Sequence, residues 1–123
     1  MGIWFVDPQL NPGEQRLHQT IANQLLGPSR TLGGRLVVTD SRVVFEPNRL
    51  DRLTGGRTWQ TDAQAIRKVT ETPGGKEGVR RYGPAGARPQ ITVDLASGQA
   101  GVFVVKNREA LTSAIASCRA NNS

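Results

Sequence analysis

Histidine and cysteine, the side chains most versatile in proton transfer, nucleophilic attack and metal binding, occur once each, as His18 and Cys118. They lie far apart in the chain, and no CxxC, HExxH or carboxylate-rich loop accompanies either of them. His18 has the ordinary interpretation of a surface residue on a strand, and Cys118 that of a small core residue. We therefore expect no metal site, no cofactor and no enzyme.

The triplet Gly74-Gly75-Lys76 has the composition of a phosphate-binding loop. It lacks the G-x-x-x-x-G spacing, a Ser or Thr after the lysine, and a predicted helix to follow. The triplet therefore predicts no nucleotide site.

Basic side chains are concentrated in one part of the chain. Residues 49–88 carry nine basic and four acidic residues, whereas the rest of the chain is nearly balanced, within a net charge of +6. Such asymmetry favours an anionic partner, namely lipid headgroups, nucleic acid or an acidic protein face, although the same charge could serve solubility in loops. The candidate ligand-binding residues form an arginine-rich rim: Arg49, Arg52, Arg57, Lys76, Arg80, Arg81 and Arg88.

Nucleic acid is the weaker of these hypotheses. Proteins that bind single strands stack bases on exposed aromatic rings, and this chain has two Trp, one Tyr and three Phe, several of which the core requires. Tyr82 beside Arg80 and Arg81 is the best candidate patch for such contacts.

The elements that must position these residues are organised around a hairpin at residues 33–47. Alternation along both strands predicts a core-facing set of Leu36, Val38, Val43 and Phe45. The opposite face is predicted to carry Arg35, Thr39, Arg42 and Glu46 toward solvent or a partner, although Val37 and Val44 indicate partial cover there. The polar residues 39–42 predict the turn, and Pro47 ends the second strand.

Further elements follow from pattern and punctuation. A turn-rich connection is predicted at 48–56, a helical turn at 62–65 and a long, mobile, Gly- and Pro-rich loop at 73–90. Further strands are predicted at 57–61, 66–72, 90–95 and 101–106. The C-terminal helix is predicted at 107–120, with Asn107 as its N-cap and an apolar stripe of Leu111, Ala114, Ile115 and Cys118.

Two stretches near the N-terminus have more than one interpretation. Leu17, Ile21 and Leu25 recur at a spacing that suits either a helix face or one face of a strand, so periodicity alone leaves residues 14–26 open. Residues 1–13 form an N-terminal extension whose apolar tetrad, residues 3–6, is predicted to pack as an extra strand or lid. Alternatively, Trp4 and Phe5 insert into a membrane interface.

Length and hydropathy limit the overall organisation. At 123 residues the chain is expected to form a single domain over residues 1–123. No apolar run approaches the roughly 20 residues that a membrane-spanning helix needs. The opening residues are too short and lack the basic start of a signal peptide, so we expect a cytoplasmic protein.

The order of elements, about seven antiparallel strands followed by one amphipathic helix, resembles the pleckstrin-homology superfold. A narrower resemblance to bacterial GRAM domains rests on Pro12-Gly13-Glu14, on the motif Leu-x-Val-Thr-x-x-Arg-x-x-Phe at 36–45, and on Trp59 followed by Ile66-x-x-Val69. The resemblance implies a mainly β fold, a bent antiparallel sandwich or barrel capped by the C-terminal helix, with a strand at residues 14–26. It also implies binding to anionic or sterol-containing membranes, or to partner proteins, without catalysis.

Pleckstrin-homology domains that bind phosphoinositides often carry a Lys/Arg, spacer, Arg pattern on the first hairpin. Here Arg30 and Arg35 are separated by four residues, so the resemblance does not extend to high-affinity phosphoinositide recognition. We expect a non-catalytic module attached peripherally to anionic membrane lipid through the arginine-rich rim. The alternatives are a protein-interaction scaffold that uses the open sheet edge or residues 3–6, and weak nucleic-acid binding.

Overall fold

Seven strands dominate residues 5–122, the part of the chain that the computed structural model describes. The strands are β1 (Arg16–Gly27), β2 (Arg30–Thr39), β3 (Arg42–Pro47), β4 (Trp59–Asp62), β5 (Ile66–Thr72), β6 (Gln90–Leu95) and β7 (Ala100–Val105). The α-helices are α1 (Arg49–Leu53), α2 (Lys76–Tyr82) and α3 (Arg108–Asn121), and two 3₁₀ helices span Ala63–Ala65 and Gly83–Ala87.

The strands form one antiparallel sheet in the order β4-β3-β2-β1-β7-β6-β5. Across the described residues β4 and β5 are the two edges, so the sheet is not closed. This mainly β architecture, with α3 at its C-terminal end, fits the predicted pleckstrin-homology-like sandwich and confirms the predicted fold class. No helix within residues 5–122 is both long and apolar enough to cross a membrane.

The main core lies between the inner face of the sheet and α3. The predicted inward set of the central hairpin is fully buried: Leu36, Val38, Val43 and Phe45. The Phe103 ring lies 5.5 Å from that of Phe45 and 5.1 Å from that of Trp59, the second pair edge to face. The helix adds Leu111, Ile115 and Cys118, all buried as its apolar stripe predicts.

Residues 14–26, which periodicity left open, lie almost entirely in strand β1. The strand pairs with β2 from Arg16 to Gly27. Leu17, Ile21 and Leu25 share its outer face, and Leu25 is buried whereas the other two are exposed. The outer face of β1 is therefore covered at Leu25 and uncovered at Leu17 and Ile21.

The predicted long loop at 73–90 is wrong. This segment contains α2 and the 3₁₀ helix Gly83–Ala87, so a helix does follow Lys76. Tyr82 and Ala85 pack on a small second core on the outer face of the sheet, made of Leu25, Val102 and Val104. The glycines mislead because they serve close packing here: a Cβ at Gly86 would lie 1.9 Å from the carbonyl oxygen of Gly78.

The outer face of β2 and β3 is covered by the N-terminal strap, which we define as residues 5–15. Arg35 contacts the Asp7 carboxylate, and Arg42 donates a hydrogen bond to the carbonyl oxygen of Gln9 at 2.8 Å. Val37 and Val44, which indicated partial cover, are accordingly fully buried.

The prediction of a solvent-facing set on the same face is wrong for Thr39, which is fully buried because its hydroxyl contacts Glu14 from the strap. The Arg42 and Glu46 side chains are also largely covered, and Arg35 is half-buried. Of the apolar tetrad, Phe5 and Val6 are half-buried and lie in no strand, while residues 3 and 4 fall outside the described part of the chain.

The connection after β3 differs from its prediction in one respect. Its first half forms the short helix α1 rather than a series of turns. The strand predicted at 57–61 is found as Trp59–Asp62, and the predicted helical turn is the 3₁₀ helix Ala63–Ala65.

Candidate functional site

Helix α1 is held against the sheet by polar contacts at its start. The Asn48 side chain accepts a hydrogen bond from the Asp51 backbone N–H at 2.9 Å. The Asp51 carboxylate in turn accepts one from the Gly33 backbone N–H of β2 at 2.7 Å. A helix of five residues has little stability of its own, so these contacts fix its position.

The helix lies beside the turn between β1 and β2, and together they form a surface that we call the tip, residues 26–30 and 48–58. The Arg30 guanidinium donates to the carbonyl oxygen of Thr54 at 3.0 Å, across 24 positions of sequence. Leu26 and Arg57 line one shallow cavity of about 260 Å³ with Gly55 and Gly56. The contact and the cavity bring two distant segments into one surface.

Exposed leucines are the unusual feature of the tip. None of the five residues of α1 is buried: Leu53 is 84% exposed and Leu50 is 53% exposed. Leu26, on the neighbouring turn, is 51% exposed. Large apolar side chains grouped in this way on a surface mark an interaction site more often than isolated ones do.

Arginines surround these leucines. Arg49 and Arg57 are exposed, and neither has an ion pair with another described residue. Arg52 instead contacts the Glu46 carboxylate. Arg49, Arg52 and Leu53 share a cavity of about 370 Å³ with Val6, so the strap reaches the tip.

The predicted cations of α2 lie on the other side of the β1–β2 turn. A Cβ at Gly83, just after α2, would lie 2.4 Å from the Pro28 carbonyl oxygen, which shows how closely the two segments approach. Arg80 and Arg81 share the Glu77 carboxylate at 2.7 and 3.9 Å, and both remain well exposed. Lys76, at the start of the helix, is exposed as well.

The structure therefore divides the seven predicted binding residues into three places. Arg49, Arg52 and Arg57 lie on the tip, and Lys76, Arg80 and Arg81 lie on α2. Arg88 lies apart from both groups, in a groove beside Lys106. Whether these residues bind a ligand stays a prediction.

Sequence reasoning missed the apolar part of this surface. Leu50 and Leu53 stand three positions apart inside a polar connection, each next to an arginine, and this spacing is the signal that could have identified a short amphipathic helix. Leu26 and Arg30 carried no such signal because their position on the tip depends on contacts with the distant connection.

The side chains suited to chemistry lie elsewhere. Burial raises the pKa of the Cys118 thiol, and the Asp40 and Glu14 carboxylates add to the shift, so the reactive thiolate is disfavoured. His18 is half-buried, and its Nε2 atom has no hydrogen-bond partner within residues 5–122. In the same part of the chain no three His, Cys, Asp or Glu residues are grouped to hold a metal ion.

Comparison with protein-family models gives no match, and comparison with curated proteins gives none either. Among solved structures, the chain is similar to the crystal structure of the C-terminal domain of an unknown protein from Leishmania infantum. The TM-score is 0.67 at 14% sequence identity, with 89% of this chain and 87% of that chain covered. At this identity the similarity shows the fold alone.

Proposed function

We propose that the protein is a non-catalytic binding module, of the GRAM or pleckstrin-homology-like kind, that attaches peripherally to anionic membrane lipid through the tip and α2. The observation that carries the proposal is α1, which exposes Leu50 and Leu53, each next to an arginine, Arg49 and Arg52. Apolar side chains that enter the acyl boundary, with cations beside them at the headgroups, are what interfacial binding requires.

The expected energies suit reversible attachment. A leucine side chain gains roughly 1.5–3 kcal/mol when it is fully removed from water, and a partly inserted one gains less. Each basic side chain near an anionic bilayer contributes about 1 kcal/mol. Neither the leucines nor the basic side chains alone would give stable attachment to a membrane, and the tip carries both.

The cations on α2 extend the same surface. Helix α2 carries Lys76, Arg80 and Arg81, and Gly83, just after its C-terminal end, lies close to Pro28 of the β1–β2 turn. Glu77 neutralises part of the charge of Arg80 and Arg81. Val79, the exposed apolar side chain of α2, is 41% exposed, which is less than Leu50 or Leu53 of α1. We therefore assign to α2 an electrostatic role and to α1 both roles.

Co-sedimentation with vesicles tests the proposal. The protein is expected to pellet at low salt with phosphatidylcholine vesicles that contain phosphatidylserine, and much less with phosphatidylcholine alone. The double variant R49A/R57A should bind about thirtyfold more weakly, because two cations that contribute about 1 kcal/mol each are lost. The double variant R80A/R81A should weaken binding less, because Glu77 already offsets part of that charge.

The matched control is R67A/K68A, which removes two exposed cations from β5, away from the tip. Its vesicle binding should stay close to that of the unmodified protein. Absence of pelleting with anionic vesicles at low salt would remove the membrane proposal. An equal loss in the control and in R49A/R57A would reduce it to non-specific attraction.

A further inference from the structure

Strand β1 is paired on both sides over only part of its length. It pairs with β2 from Arg16 to Gly27, but with β7 only over Ala22–Gln24. Because β7 ends at Val105, opposite Ala22, the segment Arg16–Ile21 has no neighbouring strand on that side within the described residues. In an antiparallel strand, alternate backbone N–H and C=O groups then point away from β2 and can accept a further strand.

Two of the side chains that this half-strand exposes are large and apolar, with Gln19 between them. Leu17 is 41% exposed and Ile21 is 57% exposed, beyond the α2 segment that covers Leu25. A groove of about 430 Å³ runs beside Ile21. Its lining contains no carboxylate: Thr20, Ile21, Ala22, Asn23, Arg88, Val104, Val105 and Lys106.

The cations of the groove are Arg88 and Lys106, and both are exposed. Neither is among the ion pairs of residues 5–122, although Lys106 also lines a neighbouring cavity with Glu71 and Glu109. The groove therefore places two cations beside the exposed Ile21 side chain, at the end of the half-strand.

The other sheet edges differ from this one. At β5 the Arg119 guanidinium donates to the carbonyl oxygens of Ile66 and Arg67, at 3.3 and 3.2 Å, which occupies part of that edge. The β4 edge is four residues long. Capping and shortening are common protections of an exposed edge. Arg16–Ile21 is longer than β4; the Thr20 hydroxyl donates to the Ile21 carbonyl oxygen at 3.3 Å, and α3 contacts β1.

We propose that Arg16–Ile21 is a strand-addition site for an extended segment of another protein that carries apolar side chains at alternate positions and carboxylates at its end. Backbone hydrogen bonds add the segment to β1, its apolar side chains cover Leu17 and Ile21, and the carboxylates at its end, where β7 begins to pair with β1, meet Arg88 and Lys106. A second copy of this chain fits less well, because pairing two copies of the half-strand would bring like charges together. The site is separate from the tip and does not depend on membrane binding.

Nuclear magnetic resonance of the isotope-labelled full chain tests this proposal with a short synthetic peptide that carries valine at alternate positions, uncharged polar residues between the valines, and glutamate at its ends. Amide signals should shift in Arg16–Asn23 and near Lys106, and amide hydrogen exchange in Arg16–Ile21 should slow. The counterpart peptide, in which lysine replaces glutamate, should bind about tenfold more weakly.

Charge reversal provides the matched variant. R88E/K106E should lose the preference for the glutamate peptide and favour the lysine peptide, whereas R67E/K68E, with the same charge change on β5, should keep the original preference. I21T, which keeps a β-branched side chain, should weaken both peptides. Four results would each overturn the proposal. The first two are signal shifts on β5 and α3 instead of β1, and an unchanged preference in R88E/K106E. The other two are self-association through β1 and no saturable binding at millimolar peptide.

Discussion

The Glu14 carboxylate is the most strongly perturbed group of the strap. Its side chain is 2% exposed and accepts hydrogen bonds from Arg42 Nε at 2.7 Å and Nη2 at 2.9 Å. The Thr39 hydroxyl donates a further one at 2.6 Å. The Arg42 bonds hold the pKa of Glu14 at about 2 although burial opposes the shift. This pair fastens the strap to the β2–β3 turn.

Replacement of Glu14 by Gln is expected to lower the free energy of unfolding at neutral pH by about 3 kcal/mol, because Arg42 is left buried without its counter-charge. The folded-state pKa of Glu14, about 2, lies below its ordinary value of 4.5. The stabilisation is therefore complete above the ordinary value and is lost as the pH falls toward the folded-state pKa. Urea unfolding at several pH values measures both effects.

The control is E109Q, which neutralises an exposed carboxylate in the first turn of α3. It should change the free energy of unfolding by less than about 1 kcal/mol. If the difference between the E14Q and unmodified proteins does not shrink below pH 4.5, the ordinary pKa of Glu14, the ion pair does not stabilise the fold as argued.

Among the elements, α2 shows how glycine can stabilise a packed segment. Gly78 and Gly86 are close enough that a Cβ on either would lie within 2.0 Å of the other's carbonyl oxygen. The contact lets the 3₁₀ helix fold back on α2, and Tyr82 and Ala85 then cover the second core.

Substitution G86A should therefore displace α2 from the sheet and cost about 1–3 kcal/mol of unfolding free energy. Hydrogen exchange should quicken at residues 76–87 and leave α3 unaffected. The exposed substitution S113A serves as the control. If G86A matches the control in stability and exchange, the close contact is not what holds the segment.

Helix α3 closes the main core through Leu111 and Ile115, both fully buried. Substitution L111A should lower the free energy of unfolding by about 2–5 kcal/mol, because it leaves a cavity beneath the sheet. Denaturant unfolding measures the loss, and T112A, on the same helix but only half-buried, should cost far less. Equal losses would argue that the helix is peripheral to the core.

For the molecule as a whole, the net charge of +6 makes the proposed attachment depend on salt. The Debye length falls from about 10 Å at 0.1 M salt to about 3 Å at 1 M, so exposed cations lose most of their attraction to lipid. Vesicle binding should therefore fall by more than about tenfold over this range. The variant L50S/L53S should bind more weakly at every salt concentration and show the same relative salt dependence, since its cations are intact.

A salt-insensitive interaction would point to a protein partner instead of a charged bilayer. Vesicle binding of L50S/L53S equal to that of the unmodified protein at every salt concentration would show that these leucines do not take part in the attachment.

Local periodicity determined much of this protein from sequence alone. The alternation of Leu36 with Val38 and of Val43 with Phe45 predicted the inner face of β2 and β3. The stripe that ends at Cys118 predicted α3, because strand and helix periods dictate which side chains share a face. The charge excess of residues 49–88 predicted an arginine-rich rim. It did not predict that these cations are divided among the tip, α2 and the groove beside Ile21.

Only the tertiary structure decided which outer surfaces are covered. Thr39 and Val37 are buried because the strap crosses them, and Ile21 is exposed because the α2 segment stops short of it. Arg30 joins the tip through a carbonyl group 24 positions away. The period and composition of a strand indicate which of its side chains can be buried. Whether another segment covers them depends on contacts between residues distant in sequence, which no local pattern encodes.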